Sequence, residues 1–369
     1  MFLSNKEKEV RYQAVRREMA EQGLDAAIMR GSSAVRGDGA SFRFLTDFPN
    51  VNIPLVLVFF KNEGQEPILL AESRFQADRA KQFSWIKDVR LSSNFLQSLL
   101  DIIREKDLVQ ARVGADGLDR FPLLWHQQIK NAFPDFTLTD FGSELKSLRQ
   151  YRSPEAIRLV KRSALLVDLA FQQGLKYIKP GKTEWEVIAG IDCVLKSHGV
   201  EKSFNIISQG PKTNGYAPSG KKLAKKGMVF VEITACYGGY WTQLARAVSL
   251  GKPSEDLVKL HRVSVEAIKQ ALPYLRPGFK VSKPMSVMED HVKSMGFEAT
   301  PIYGHIVGID MVEDRPTPKN ETEITPGMVF IVHPWPVLGR SSLLWGETYL
   351  ITEKGNQRLN KTGDELIVL

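Results

Sequence analysis

Lys226-Gly227-Met228-Val229-Phe230-Val231-Glu232 returns later in the chain as Pro326-Gly327-Met328-Val329-Phe330-Ile331-Val332, with His333 next. The upstream segments match as well. Pro180-Gly181 opens a stretch that closes with Lys196-Ser197-His198-Gly199-Val200-Glu201, and Pro277-Gly278 opens one that closes with Lys293-Ser294-Met295-Gly296-Phe297-Glu298. The offset is 97 residues across that match and 100 at the strands. Chance rarely keeps such a spacing, so the C-terminal half reads as two copies of a helix-then-strand unit. Two such units can face each other across a pseudo-twofold axis and bring polar residues together between them.

At 369 residues the chain exceeds what one core usually supports, and two domains are expected. A hydrophobic share of 43% with 25% charged residues fits a globular chain rather than a disordered one. The longest apolar run, Ile53-Pro54-Leu55-Val56-Leu57-Val58-Phe59-Phe60, has strand length and falls well short of the about 20 residues of a membrane helix. The start, Met1-Phe2-Leu3-Ser4-Asn5-Lys6-Glu7-Lys8-Glu9, is charged where a signal peptide is apolar. Cys193 and Cys236 make no disulfide framework. A cytoplasmic protein with no membrane partner is the expectation. The net charge of +8 raises the question of a polyanion. Its one basic cluster, Lys221-Lys222-Leu223-Ala224-Lys225-Lys226, lacks interleaved aromatics and reads as a solvated turn, so no nucleic-acid partner is expected.

Residues 6–21 read as an amphipathic helix closed by Gly23, followed by a short buried strand at 26–29. Runs at 53–60, 67–71 and 112–116 read as strands, with a helix over 122–132 between later ones. Alternating strands and helices make an α/β domain, ending near Arg149. Ser153-Pro154-Glu155 then starts a long helix, with serine as N-cap, proline at the first position and an acid in the first turn. Domains at 1–149 and 150–369 follow, the second split into halves at about 154–250 and 251–369.

Several motifs resemble the "pita-bread" family of creatinase, aminopeptidase P, prolidase and methionine aminopeptidase. Ser41-Phe42-Arg43-Phe44-Leu45-Thr46-Asp47-Phe48 resembles the N-x-R-Y-L-T-G-F signature of the creatinase-type N-terminal domain. Leu145 to Gly181 resembles the L-R-x-I-K-S-P-E-E-I helix that ends in I-R-P-G. The resemblance spans nearly the whole chain. It implies an α/β (α+β) fold, a creatinase-type N-terminal domain followed by a pseudo-twofold pita-bread domain.

Peptidases of that family hold two divalent metals with two Asp, one His and two Glu. The D-x-G-x-x-x-x-G-Y-x-x-D-x-x-R stretch corresponds here to Glu232 through Arg246, keeping Gly239, Tyr240 and Arg246 but placing Glu232 and Gln243 at the two Asp positions. G-H-G-I-G-L-D-x-H-E corresponds to Gly304 through Glu313, keeping His305 but with Val312 at the second histidine. His333 stands at the first glutamate and Gly346, just before Glu347, at the last. A further substrate-side histidine is absent around Tyr216-Ala217-Pro218. Two dications need several anionic oxygens to neutralise and bridge them, and one carboxylate among five positions does not supply these.

The candidate catalytic residues are therefore His333, His305 and Glu232. Gln243, Glu347, Trp335 and Arg43 are candidates for binding substrate. Each has a bland reading beside it. His305 in a glycine-rich turn is a structural histidine unless its motif position counts, and strand alternation aims Glu347 away from its neighbours. Trp241, Trp335 and Trp345 line either a pocket for a compact cationic ligand or the core. Three functions stay open. The first is a metal-independent, creatinase-like hydrolase acting on a C–N bond of a small molecule, with a histidine base supported by Glu232 and no cofactor. The second is a mononuclear enzyme, hydrolase or lyase, holding one divalent metal ion with Glu232, His305 and His333. The third is a non-catalytic binder. The N-terminal resemblance implies a homodimer, in which Arg36 or Arg43, on a mobile loop spanning 36–44, reaches a substrate carboxylate in the neighbouring site.

Overall fold

A computed structural model describes residues 2–31, 39–49, 54–213, 215 and 217–369. Arg36, Ile53 and Tyr216 lie outside the described residues. The chain divides into two compact units, Met1–Glu155 and Ala156–Leu369. The division falls within the first helical turn after Pro154. Glu155 accepts a hydrogen bond from the Ser4 backbone N–H at 2.9 Å, which ties that turn to the N-terminal unit.

In the first unit α1 (Asn5–Glu21) starts where Ser4 caps it, its hydroxyl accepting from the Glu7 N–H. The elements β1 (Ala26–Gly31), α2 (Ala40–Thr46), β2 (Leu55–Phe60), β3 (Ile68–Ala71), α3 (Arg74–Phe83) and β4 (Asp88–Leu91) follow. Then come α4 (Phe95–Glu105), β5 (Arg112–Ala115), α5 (Leu123–Ala132), β6 (Thr137–Asp140) and α6 (Gly142–Gln150). The six strands form one sheet in the order β4-β3-β2-β1-β5-β6. Residues 55–60 are buried on both faces, as their unbroken apolar run requires. The segment expected as a mobile loop is, from Ala40 on, the buried helix α2. Its apolar residues, including Phe42 and Leu45, face the core, so the loop expectation is corrected there.

The helix α7 (Pro154–Gly174) leads into the second unit, and α8 (Glu184–Ser197) follows, held by a Thr183–Glu186 capping box. Strands β7 (Lys202–Gln209), β8 (Gly227–Tyr237) and β9 (Tyr240–Leu250) complete the first half. The second half holds α9 (Glu255–Ala271), α10 (Ser282–Ser294), β10 (Glu298–Ala299), β11 (Gly304–Val307), β12 (Val329–Val332), β13 (Pro336–Leu338) and β14 (Ser341–Ser342). It closes with β15 (Glu347–Thr352), β16 (Gly355–Arg358) and β17 (Ile367–Val368). The sheets run β17-β9-β8-β7 and β11-β12-β15-β16, with a small β10-β13-β14 sheet beside them.

The duplication is visible in the backbone. Gly181 and Gly278 have φ of 84° and 88°, and Gly199 and Gly296 have 82° and 83°. Matching left-handed glycines at matching positions mean that the helices are entered and left by the same turns in both copies. Val229, Val231 and Ile233 on β8 pack with Val167 and Phe171 of α7 and with Val187 and Ile191 of α8. Phe330 and Val332 on β12 pack with Leu260 and Val263 of α9 and with Met285 and Met288 of α10. Strand alternation then turns Glu232 and Thr234, and on the other side Ile331 and His333, away from those helix-packed positions.

Candidate active site

The two halves meet where Ala245 and Gly346 exchange both backbone hydrogen bonds, at 2.9 and 3.1 Å. Next to that junction the Thr348 hydroxyl donates to the Gln243 carbonyl at 2.8 Å and accepts from the Gln243 N–H at 3.0 Å. Gln243 sits opposite Thr234 on the β8–β9 hairpin, and the Thr234 hydroxyl donates to its Oε1 at 3.1 Å. Its Nε2 is buried with no hydrogen-bond partner among the described residues. Glu232, two positions before Thr234, lies opposite Ala245 and is also buried.

From the other half, β11 and β12 pair His305 with Ile331, and the His333 N–H donates to the Tyr303 carbonyl at 3.1 Å. The imidazoles of His305 and His333 come together with ring centroids 5.1 Å apart and planes at 66°. His333 is 1% exposed, and neither of its ring nitrogens has a hydrogen-bond partner among the described residues. Burial without a compensating anion pushes its pKa down to about 4, so it is neutral near pH 7. A buried imidazole with two unpaired ring nitrogens is costly to keep.

The pattern of Metallopeptidase family M24 matches residues 158–353, and that of the Creatinase/Prolidase N-terminal domain matches residues 11–151. The chain belongs to metallopeptidase family M24. An Xaa-Pro dipeptidase of Pyrococcus furiosus is 29% identical over 266 residues, covering 69% of this chain and 75% of that relative. An Xaa-Pro dipeptidase of Lactobacillus helveticus is 25% identical over 334 residues, covering 87% and 89%. Among solved structures, an X-Pro aminopeptidase from Thermotoga maritima superposes with a TM-score of 0.87 at 22% identity, covering 97% of this chain and 99% of its own. The prolidase from Pyrococcus horikoshii gives 0.82 at 21%, with the same coverage. The fold is the pita-bread fold with its creatinase-type N-terminal unit, and the M24 family is one of hydrolases.

The family name implies a metal, and the residues present do not fit one. Among the described residues no three His, Cys, Asp or Glu side chains gather into a group able to hold an ion. The expectation of Glu232, His305 and His333 as mononuclear ligands is not met by such a group among the described residues. The position of the last carboxylate is also closed. A Cβ on Gly346 would stand 2.3 Å from the His333 Cβ and 2.7 Å from the Val332 carbonyl oxygen.

Two of the substrate-binding candidates belong elsewhere. Glu347 lies on the face of β15 opposite His333, where it accepts from Arg246 Nη2 at 2.6 Å, from the Tyr349 hydroxyl at 2.5 Å and from Arg358. It lines a separate cavity of about 180 Å³ together with Trp345, Tyr349, Arg358 and Asp364. Arg43 is buried on α2, 3.5 Å from Asp47, with its guanidinium over the Phe2 ring. A guanidinium so engaged within its own unit is not presented to a substrate. The Trp241 indole donates to the Ile309 carbonyl and is a core residue, while Trp345, covered by Arg246 at 4.3 Å, walls that separate cavity. Trp335 is half-buried, and its Nε1 has no partner among the described residues. Thr234 and Thr348, which orient Gln243, carried no sequence signal beyond their place in the strands.

Proposed function

We propose that this M24 member hydrolyses the C–N bond of a small amide or dipeptide without a dinuclear metal centre. The observation that carries the reading is the pairing of half-buried His305 with buried His333 at two of the family's ligand positions, with neither His333 ring nitrogen hydrogen-bonded among the described residues. The names of its relatives, Xaa-Pro dipeptidases, support an amide as the substrate class. In this reading the pair takes a proton from water as it attacks the carbonyl carbon. His333 enters in its proton-accepting form because burial keeps it neutral. Once protonated it gives the proton up readily to the departing amine. The free Nε2 of Gln243 is a donor suited to the carbonyl oxygen as it gains charge. A cytoplasmic homodimer completes the proposal, supported by the creatinase-type N-terminal unit.

Turnover of Xaa-Pro dipeptides, amino-acid amides and small guanidines by the wild type, His333→Ala and His305→Ala tests this. At least one substrate should be cleaved, and each substitution should lower kcat by about 100-fold, the usual contribution of a positioned acid–base group. Binding measured by calorimetry without turnover of any of these compounds would overturn the hydrolase reading in favour of a binding protein.

A further inference from the structure

Gly346 meets His333 more closely than any side chain allows. A Cβ built on it lies 2.3 Å from the His333 Cβ, 2.7 Å from the Val332 carbonyl oxygen and 3.0 Å from the His333 Cα. Contacts under about 3 Å do not occur between real carbon atoms, and two of these three partners are backbone, which cannot swing aside. The Gly346 peptide is itself held fast. Its N–H and carbonyl bond to Ala245, and its carbonyl also accepts from Arg246 Nη1 at 2.9 Å. Arg246 is in turn anchored by Glu347 at 2.6 Å. On the far side, the His333 N–H is fixed by the Tyr303 carbonyl, and its ring lies against His305.

We infer that Gly346 is a positioning residue: the β12 and β15 backbones close on each other here, setting the place of the His333 imidazole and shutting the position from which a fifth metal ligand would project. The absence of a dinuclear site is then architectural. Restoring a carboxylate at 346 does not restore the site, because the strand must first move away from Val332 and His333, against the bonds to Ala245 and Arg246 that hold it. The inference is independent of turnover and stands or falls on metal binding and on the His333 resonance.

The test uses the full chain in five forms: wild type, Gly346→Ala, Gly346→Glu, the double variant Gly346→Glu/His333→Glu, and Gly215→Ala. The last is a control, since a Cβ at Gly215 meets nothing within 4 Å. Imidazole NMR signals, thermal midpoints and zinc or manganese stoichiometry by native mass spectrometry are read for each. Gly346→Ala should shift the His333 imidazole signals and lower Tm by about 1–4 °C, the range expected of an overpacked site in a chain of this size. Gly215→Ala should change neither. Neither glutamate variant should retain two metals. Unchanged His333 signals and Tm in Gly346→Ala, or two retained equivalents in the double variant, would overturn the inference. If Gly346→Ala does not fold, the wild type decides: a nuclear Overhauser contact between the Gly346 Hα and His333 Hβ protons supports the close approach, and its absence refutes it.

Discussion

Protonating an imidazole that is enclosed and has no anion beside it costs free energy, and this cost appears as the low pKa of His333, about 4 against an ordinary 6.5. Above about pH 6.5 the residue is neutral in the folded and unfolded chain and adds no pH dependence. As pH falls from 6.5 towards 4 the unfolded chain takes up the proton first, so stability is lost over that window, by about 2–3 kcal/mol at pH 4.5. Urea unfolding of the wild type and of His333→Gln at pH 7 and pH 4.5 checks this. The wild type should lose that much more than the variant, and equal losses would contradict it. His305 was legible in the sequence because it keeps a motif histidine, and Gln243 and His333 because each occupies a motif position with a chemically different residue. What Gly346 does was not legible. Its meaning lies in how closely two backbones approach, and composition carries no record of that distance.

The strand β15 shows how one element can serve two faces. Gly346, just before it, abuts His333, while Glu347 turns to the other side and joins Arg246, Arg358 and Tyr349. Burial lowers the Arg246 pKa, while Glu347 opposes that shift. Glu347→Ala would leave a buried guanidinium without its carboxylate, which costs about 3–5 kcal/mol. The thermal midpoint should fall by about 4–6 °C. A Tm within about 2 °C of wild type would show that the network contributes little. Alternation along the strand already pointed Glu347 away from the site, and the structure shows what it faces instead. The repeated Gly-Met-Val-Phe strands were readable because both copies kept turn glycines and apolar runs. Helix α2 was not, because its seven residues are too short to display a helical period and every one of them is buried.

At the scale of the molecule, the two-unit organisation and the pita-bread fold were readable because the matching motifs run through nearly the whole chain. The chemistry was only partly readable, since ligand positions are set by residue type but their convergence is set by strand packing. The proposed homodimer has a simple check. Sedimentation at micromolar concentration should give a species near twice the 41.5 kDa of one chain, and a monomer would remove that part of the account. The central claim is an M24 site that works without two metals. Its most direct test is the metal content of protein purified without chelator, measured together with amide hydrolysis before and after exhaustive dialysis against a chelator. The account predicts less than about 0.2 equivalents of any divalent metal per chain, given a donor set with one carboxylate, and turnover unchanged by dialysis. Two retained equivalents per chain, with activity that is lost on chelation and restored by zinc or manganese, would contradict it.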